Sequence, residues 1–182
     1  MEFTLSAKTS EYAAKLQAFM DKEVFPAEAV YEHQRTELKA AGKPHGLPAV
    51  VEELKVKARA QGLWNLFLPH SHDPHHGLSV TEYATLAEIT GWSPEIAPEA
   101  INCAAPDTGN MELLDMFATD EQKKMWLEPL LDGRIRSGFA MTEPDVASSD
   151  ARNIQTSIVK DGGDYVINGT KWWTTGAMDE RC

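Results

Sequence analysis

The hydrophobic pattern of this sequence changes its period near residue 135, and this change constrains the fold more than any other feature. Before it, apolar residues recur every three or four positions, as they do on one face of a helix. After it, apolar and polar residues alternate, as they do in strands. The order predicts an α+β chain, with an all-α domain over residues 1–135 and the beginning of an antiparallel β domain over residues 136–182.

The helical part divides at recognisable start and stop signals. A first helix carries one apolar stripe, and Pro26 is expected to weaken it. Further helical regions are predicted at 48–61, 79–91, 94–117 with a break near Pro106, and 119–133. Ser79 with Glu82, and Thr119 with Gln122, have the spacing of a capping box. The stripe of the first helix and the apolar side of the last consist of Tyr12, Leu16, Phe19, Met20 and Val24, and of Trp126, Leu127, Leu130 and Leu131.

Strands are predicted at 136–142, 154–160, 165–167 and 171–175. Turn residues separate them at 161–164, which read DGGD, and at Asn168-Gly169, a strong hairpin signal. Side chains alternate along a strand, so Trp172 and Trp173 are expected on opposite faces, with Thr175 on the side of Trp173. So few strands cannot close a barrel or cover both faces of a sheet. We therefore expect an incomplete chain or one piece of a larger assembly.

Charge and composition exclude several classes of function. The formal net charge is −11, which repels nucleic-acid phosphates. No apolar run approaches the length of a membrane span, and the N-terminus resembles neither a secretory signal nor an Arg-rich transit peptide. Cys103 and Cys182 are too few for a disulfide framework or a four-cysteine zinc site, and a cytoplasmic location is the simplest interpretation. The histidine-rich stretch 70–76 lacks the spacing of a zinc helix, so no metal is predicted.

Two segments carry the chemistry. Residues 139–150 read FAMTEPDVASSD, which combines a strand end, a proline turn and short hydroxyl side chains. Such donors suit the polar edge of a flat ring or a pyrophosphate, although a surface loop whose side chains bond their own backbone fits the same residues. Residues 168–176 read NGTKWWTTG, in which an aromatic wall beside a hydroxyl donor suits an isoalloxazine. A tryptophan packed between two domains is the alternative there.

Together these two segments resemble the signature stretches of the acyl-CoA dehydrogenase family, a T-E-P turn leading to Ser-Asp and N-G-x-K-x-W followed by hydroxyl residues. Similarity continues upstream at 62–64, 68–69, 77–79 and 119–123, so the resemblance covers essentially the whole chain. It implies the family's N-terminal helical domain and the opening of its central β domain, without the C-terminal helical bundle. The spacing from Glu143 to Asp150 is one residue longer than usual. With Trp172-Trp173, it resembles a subgroup found beside kinase-like modules.

The resemblance also implies a role for each matching residue around FAD. The Met141 backbone and Thr142 would donate to the flavin pyrimidine edge, and Trp173 would pack against the isoalloxazine. Thr175 would bond near N5, and the Thr174 backbone would reach FAD. Either Ser148 or Ser149 would contact the CoA part of the substrate or an FAD phosphate, while Phe139 and Ala140 would line the approach.

The activity implied is FAD-dependent α,β-dehydrogenation of an acyl-CoA thioester, of the fatty-acid oxidation type. The catalytic base is expected beyond residue 182, because Glu143 matches a non-catalytic position of the motif. Implied partners are acyl-CoA, an electron-transferring flavoprotein or similar acceptor, and further copies of the complete chain. The alternatives are an acyl-CoA oxidase or nitroalkane-oxidase-like flavoenzyme, and a non-catalytic helical domain or assembly partner.

Overall fold

A computed structural model describes residues 4–68 and 77–182. The histidine-rich stretch and Pro69 lie outside the described residues. Helices α1 to α8 come first, followed by a 3-10 turn at Ala151–Asn153 and one hairpin. Their bounds are α1 Ala7–Phe19, α2 Phe25–Ala40, α3 Ala49–Ala60, α4 Val80–Thr90, α5 Ala97–Ala100, α6 Asp107–Phe117, α7 Asp120–Gln122, α8 Glu128–Leu131, β1 Ser157–Asp161 and β2 Asp164–Asn168. The predicted α+β order, helices before antiparallel strands, is confirmed.

The first helix does not end at Pro26, although its regular α-helical hydrogen bonding is interrupted just before the proline, where α1 runs through a π-helical turn at Met20–Val24 directly into α2. A proline inside an α-helix removes one hydrogen bond and clashes with the carbonyl four residues earlier. The π turn changes the hydrogen-bond register, so that Pro26 falls in the first turn of α2, where its missing N–H costs little. A second π turn, at Lys123–Leu127, leads into α8 and places Pro129 in the first turn of that helix in the same way.

The two predicted capping boxes and the stripe of the first helix are confirmed. The Ser79 hydroxyl accepts from Glu82 N at 3.2 Å and Ser79 N donates to the Glu82 carboxylate at 2.9 Å, which completes a capping box at the start of α4. Thr119 and Gln122 form the second box. The helical core combines the first stripe with side chains from α3, α4, α5 and α6, among them Leu16, Phe19, Met20, Val24, Val51, Leu54, Leu86, Ile101 and Met111.

The last helical region buries Leu127 and Leu130, but Trp126 is 51% exposed, so its predicted burial is wrong. The π turn that contains Trp126 is wider than an α-turn, so a residue four positions before Leu130 no longer shares its face. The Trp126 ring lines an open cavity instead.

The sheet is a single hairpin in which Ser157 pairs with Asn168 and Asp161 with Asp164 across Gly162-Gly163. This confirms the predicted turn. The hairpin predicted at Asn168-Gly169 is wrong, because β2 ends there without a following strand. The strands predicted at 136–142 and 171–175 are also wrong, since they share only one isolated bridge. Positive φ at Trp173 and Gly176 breaks the extended backbone that a ladder needs.

Strand β1 begins at Ser157 rather than at 154. The N–H groups of Gln155 and Thr156 donate to the Glu143 carboxylate, so these two residues cannot extend the ladder. Every residue of β1 and β2 is exposed, including Ile158, Tyr165 and Ile167. The hairpin therefore projects from the helical core with neither of its faces covered.

Candidate functional site

The two motif stretches lie side by side, although neither is a regular strand. Phe139 and Thr175 form an antiparallel bridge, and Trp172 N donates to Thr142 O at 3.1 Å in the same register. Two glycines make the approach possible. A Cβ added to Gly138 would lie 3.3 Å from Thr175 O, and one added to Gly176, whose φ is +89°, would overlap Ser137 O. The tertiary structure thus brings together the two segments that the sequence analysis selected.

One carboxylate joins these stretches to the start of the hairpin. Glu143 is buried and accepts hydrogen bonds from Gln155 N at 2.7 Å and from Thr156 N at 2.9 Å. Lys171 Nζ lies 2.9 Å from the same carboxylate and also donates to Met141 O at 2.9 Å. Glu143 therefore acts as a structural clamp between the T-E-P turn, the N-G-x-K segment and β1.

These contacts lower the pKa of Glu143. The Thr156 hydroxyl beside the carboxylate, the Gln155 N–H and the Lys171 ammonium stabilise its charged form and hold the pKa at about 2. A carboxylate with such a low pKa is a poor proton acceptor near neutral pH. The chemistry of the clamp agrees with the expectation that Glu143 is not the catalytic base.

The two candidate serines have different environments. Ser148 is buried, and its hydroxyl accepts from Glu143 N at 2.9 Å, which closes the proline turn. Ser149 is exposed. Asp150 caps the following 3-10 turn by accepting from Arg152 N at 3.1 Å. A ligand outside the loop can therefore reach Ser149, whereas Ser148 is occupied within the turn.

The tryptophan pair is arranged differently from the prediction. Trp173 has φ of +54°, and the two rings pack edge to face with centroids 5.9 Å apart. They are therefore not on opposite faces of a strand, and the alternation argument that placed Thr175 beside Trp173 is wrong. Trp173 is 81% exposed, against 45% for Trp172. A bulky residue with positive φ is a conformational outlier, and such strain concentrates at functional sites.

The remaining predicted residues border the same surface. Phe139, Ala140, Thr142 and Thr175 are exposed, while Met141 and Thr174 are half-buried. Across residues 4–68 and 77–182, no hydrogen bond within the chain takes up the backbone N–H of Met141 or Thr142. An exposed aromatic ring and free backbone donors thus lie on neighbouring stretches.

Sequence reasoning missed a buried ionic cluster where the helical part meets these stretches. The Glu99 carboxylate lies 2.8 Å from Lys55 Nζ, 3.0 Å from Arg136 Nη2 and 3.0 Å from Arg181 Nη1. Arg136 also pairs with Asp107 at 2.6 Å. Burial alone would raise the pKa of Glu99, but the charges of Arg136, Lys55 and Arg181 outweigh it and lower the pKa. Charged residues far apart in sequence left no local signal of this cluster.

A mostly apolar cavity of about 590 Å³ opens beside the cluster. Its walls come from α6, from the π turn and α8, from residues 135–138 and from Arg181 and Cys182. Its apolar lining is Leu113, Leu114, Trp126, Leu130 and Ile135. Within the described ranges, no group of three or more potential metal-ligating side chains occurs, and no helix is long and apolar enough to cross a membrane.

Comparison with known families gives an assignment for both parts of the chain. Residues 6–134 match the family described as "Acyl-CoA dehydrogenase, N-terminal domain", and residues 138–182 match "Acyl-CoA dehydrogenase, middle domain". The chain belongs to the acyl-CoA dehydrogenase family. The family resemblance inferred from the two motif stretches is thereby confirmed.

Individual acyl-CoA dehydrogenase relatives agree with this assignment. A Mycobacterium tuberculosis protein named as a probable acyl-CoA dehydrogenase is 61% identical over 183 residues, covering 100% of this chain and 43% of the relative. Acyl-CoA dehydrogenase family member 11 of Gallus gallus is 52% identical over 99% of this chain and 22% of its own length. A solved Mycobacterium abscessus structure assigned to the same enzymes has a TM-score of 0.88 and 49% identity, covering 98% of this chain and 45% of that one. The chain thus spans less than half the length of these relatives.

Proposed function

We propose that this chain carries part of the FAD site of an enzyme that dehydrogenates acyl-CoA thioesters between Cα and Cβ, as in fatty-acid oxidation. The observation that supports this most is the exposed, conformationally strained Trp173 beside the free backbone donors of Met141 and Thr142. A planar ring with a polar edge is the ligand that such a surface suits, because the indole can stack on the ring while N–H groups bond its edge.

The residues present fit an isoalloxazine. Trp173 would stack on the ring, with Phe139 and Ala140 along its approach. The Met141 and Thr142 donors would bond the pyrimidine edge, where they would stabilise developing negative charge. Thr174, which follows Trp173, and Thr175, which bridges to Phe139, would supply the remaining backbone and hydroxyl contacts. When bound, FAD would supply the electron chemistry by accepting the hydride from Cβ.

We place substrate contact at Ser149 rather than at Ser148. The Ser148 hydroxyl is buried and bonded to Glu143 N, so binding a ligand would require breaking the turn. The exposed Ser149 hydroxyl can reach the CoA part of an acyl-CoA or a phosphate of FAD without that cost. The loop residue that makes the spacing unusual thus leaves one serine for the turn and one for a ligand.

Abstraction of the α-proton requires a base that these stretches do not supply, since the Glu143 carboxylate is fully engaged and its pKa is held at about 2. We therefore place the base outside the two motif stretches, residues 139–150 and 168–176. The same proposal includes an electron-transferring flavoprotein or similar acceptor as partner, a homo-oligomer of the complete protein, and a cytoplasmic location.

FAD titration monitored by flavin fluorescence tests the proposed cofactor site. Trp173→Ala is expected to weaken binding at least about twofold, since aromatic stacking is worth about 0.5–1.5 kcal/mol beyond area burial. Trp172→Ala should weaken it less, because Trp172 is the less exposed of the pair. Trp92→Ala is the matched control, an exposed tryptophan that follows α4 in the helical part. Equal affinity for wild type and Trp173→Ala would contradict the site, and absence of FAD binding by wild type would favour a non-catalytic helical domain.

A further inference from the structure

The buried ionic cluster holds both motif stretches at one end. Arg136 lies three residues before the first stretch, and Arg181 lies five residues after the second. Between the two arginines, Arg136 N donates to Arg181 O at 3.1 Å. The Glu143–Lys171 clamp joins the same two stretches at their other end. The two stretches are therefore held together at the ionic cluster and at the Glu143–Lys171 clamp. Of these two points, the helical part contributes side chains to the ionic cluster.

Glu99 of α5 is the residue that makes this connection. One carboxylate oxygen lies 3.0 Å from Arg136, and the other lies 3.0 Å from Arg181 and 2.8 Å from Lys55 of α3. A single carboxylate thus bridges the two stretches to each other and to two helices. Arg136 is additionally held by the fully buried Asp107 of α6, which accepts a hydrogen bond from Ser137 N at 2.6 Å.

We propose that Glu99 is a positioning residue for the cofactor stretches, setting their placement on the helical domain without touching the cofactor. The inference rests on the proposed FAD site. Without the carboxylate, Arg136 would keep its pair with Asp107 and Arg181 its pair with Asp179, but no shared anion would lie between the two guanidinium groups, and their mutual repulsion favours separation. That separation displaces residues 137–142 relative to 172–176, and with them the proposed donors relative to Trp173.

The competing explanation is that Glu99 only balances the charge of the cluster. The charged residues of the cluster allow this explanation to be distinguished from positioning. Lys55, Arg136 and Arg181 face Glu52, Glu99, Asp107 and Asp179, so the cluster carries one excess negative charge, which loss of Glu99 removes. Removing Lys55 as well would restore the wild-type net charge of the cluster. It would not restore the bridge between Arg136 and Arg181, which only a carboxylate at position 99 provides.

The test compares Glu99→Gln with Glu95→Gln in the full chain. Glu95 is the matched control, since it precedes α5, pairs with Arg35 at 2.6 Å and contacts neither stretch. Glu99→Gln is expected to weaken FAD binding about tenfold, an ordinary size for coupling between separate sites. It should also speed hydrogen exchange at the Arg136 and Trp172 amides and change the visible circular dichroism of bound flavin. Glu95→Gln should match wild type in all three. Wild-type exchange and affinity in Glu99→Gln would overturn the proposal.

Two further variants keep the outcome decisive. In the double variant Glu99→Gln/Lys55→Met, we expect FAD affinity to stay low and hydrogen exchange at the Arg136 and Trp172 amides to stay fast. Full recovery of both would show that Glu99 acts through the net charge of the cluster alone, and would overturn the proposal. If Glu99→Gln fails to fold, Arg181→Met removes one arm of the bridge at a half-buried position, and the same loss is expected. If wild type binds no FAD, the proposed function fails. The exchange rates at Arg136 and Trp172 still decide whether Glu99 places the stretches.

Discussion

The Lys171 ammonium lies 2.9 Å from both the Glu143 carboxylate and the Met141 carbonyl oxygen, and so joins the two signature stretches through side chains. Two prominent residues of the motifs, Glu143 and Lys171, therefore have a structural role. Glu143 and Lys171 hold the backbone, whereas the neighbouring Thr142 and Trp173 remain accessible to a ligand.

We expect the stabilisation from Glu143 to depend on pH. Its folded-state pKa of about 2 lies below its ordinary value of 4.5, so the contribution is present above pH 4.5 and is lost as pH falls towards 2. Urea unfolding of wild type and Glu143→Gln should show wild type more stable at pH 7 and the difference shrinking through this window. Glu53→Gln, an exposed position of α3, is the control. A difference that stays constant down to pH 2 would contradict the clamp.

The contact between Gly176 and Ser137 makes the glycine hard to replace. Gly176→Ala is expected to destabilise the packing of the two stretches by about 1–3 kcal/mol, because φ is +89° and the new Cβ overlaps Ser137 O. Gly109→Ala is the counterpart, since it lies within α6 with nothing within 4 Å, and it should stabilise by about 0.5–1 kcal/mol. Denaturant unfolding followed by tryptophan fluorescence measures both. Equal stability of Gly176→Ala and wild type would show that the stretches are not packed this way.

The 182-residue chain alone is expected to give no acyl-CoA dehydrogenase turnover. Glu143 directly follows the proposed flavin donors of Met141 and Thr142, but it accepts hydrogen bonds from Gln155 N and Thr156 N, and a pKa of about 2 makes it a poor proton acceptor near neutral pH. An assay with an acyl-CoA and an artificial electron acceptor measures this. Turnover that Glu143→Gln abolishes would show that the clamp carboxylate is the base after all.

Hydrogen exchange should divide the chain into a slow part and a fast part. Slow exchange is expected around Leu54, Leu86 and Leu130, which are buried in the helical core. Fast exchange is expected over Ser157–Asp161 and Asp164–Asn168, since a two-stranded hairpin exposed on both faces is marginally stable. Uniformly slow exchange through the hairpin in a monomeric sample would mean that its apolar side chains find a cover, and the expectation would then be wrong.

Local signals made the helical part predictable from the sequence. The capping boxes at Ser79 and Thr119 act within four residues, and the stripe from Leu16 to Val24 requires only helical periodicity. The turn at Gly162-Gly163 was predictable for the same reason, as were the two motif stretches. Interactions between residues close in sequence need no knowledge of the fold.

Tertiary structure alone decided the arrangement of the site. Alternation placed Trp172 and Trp173 on opposite faces, but Trp172 N bonds Thr142 O, Trp173 adopts a positive φ, and the two rings pack edge to face. Glu99 carries no sequence signal, because Lys55, Arg136 and Arg181 become its neighbours only after α3, α5 and the motif stretches have packed together. Periodicity and capping act along the chain, whereas buried charges are paired across it, and so their partners are determined by the fold.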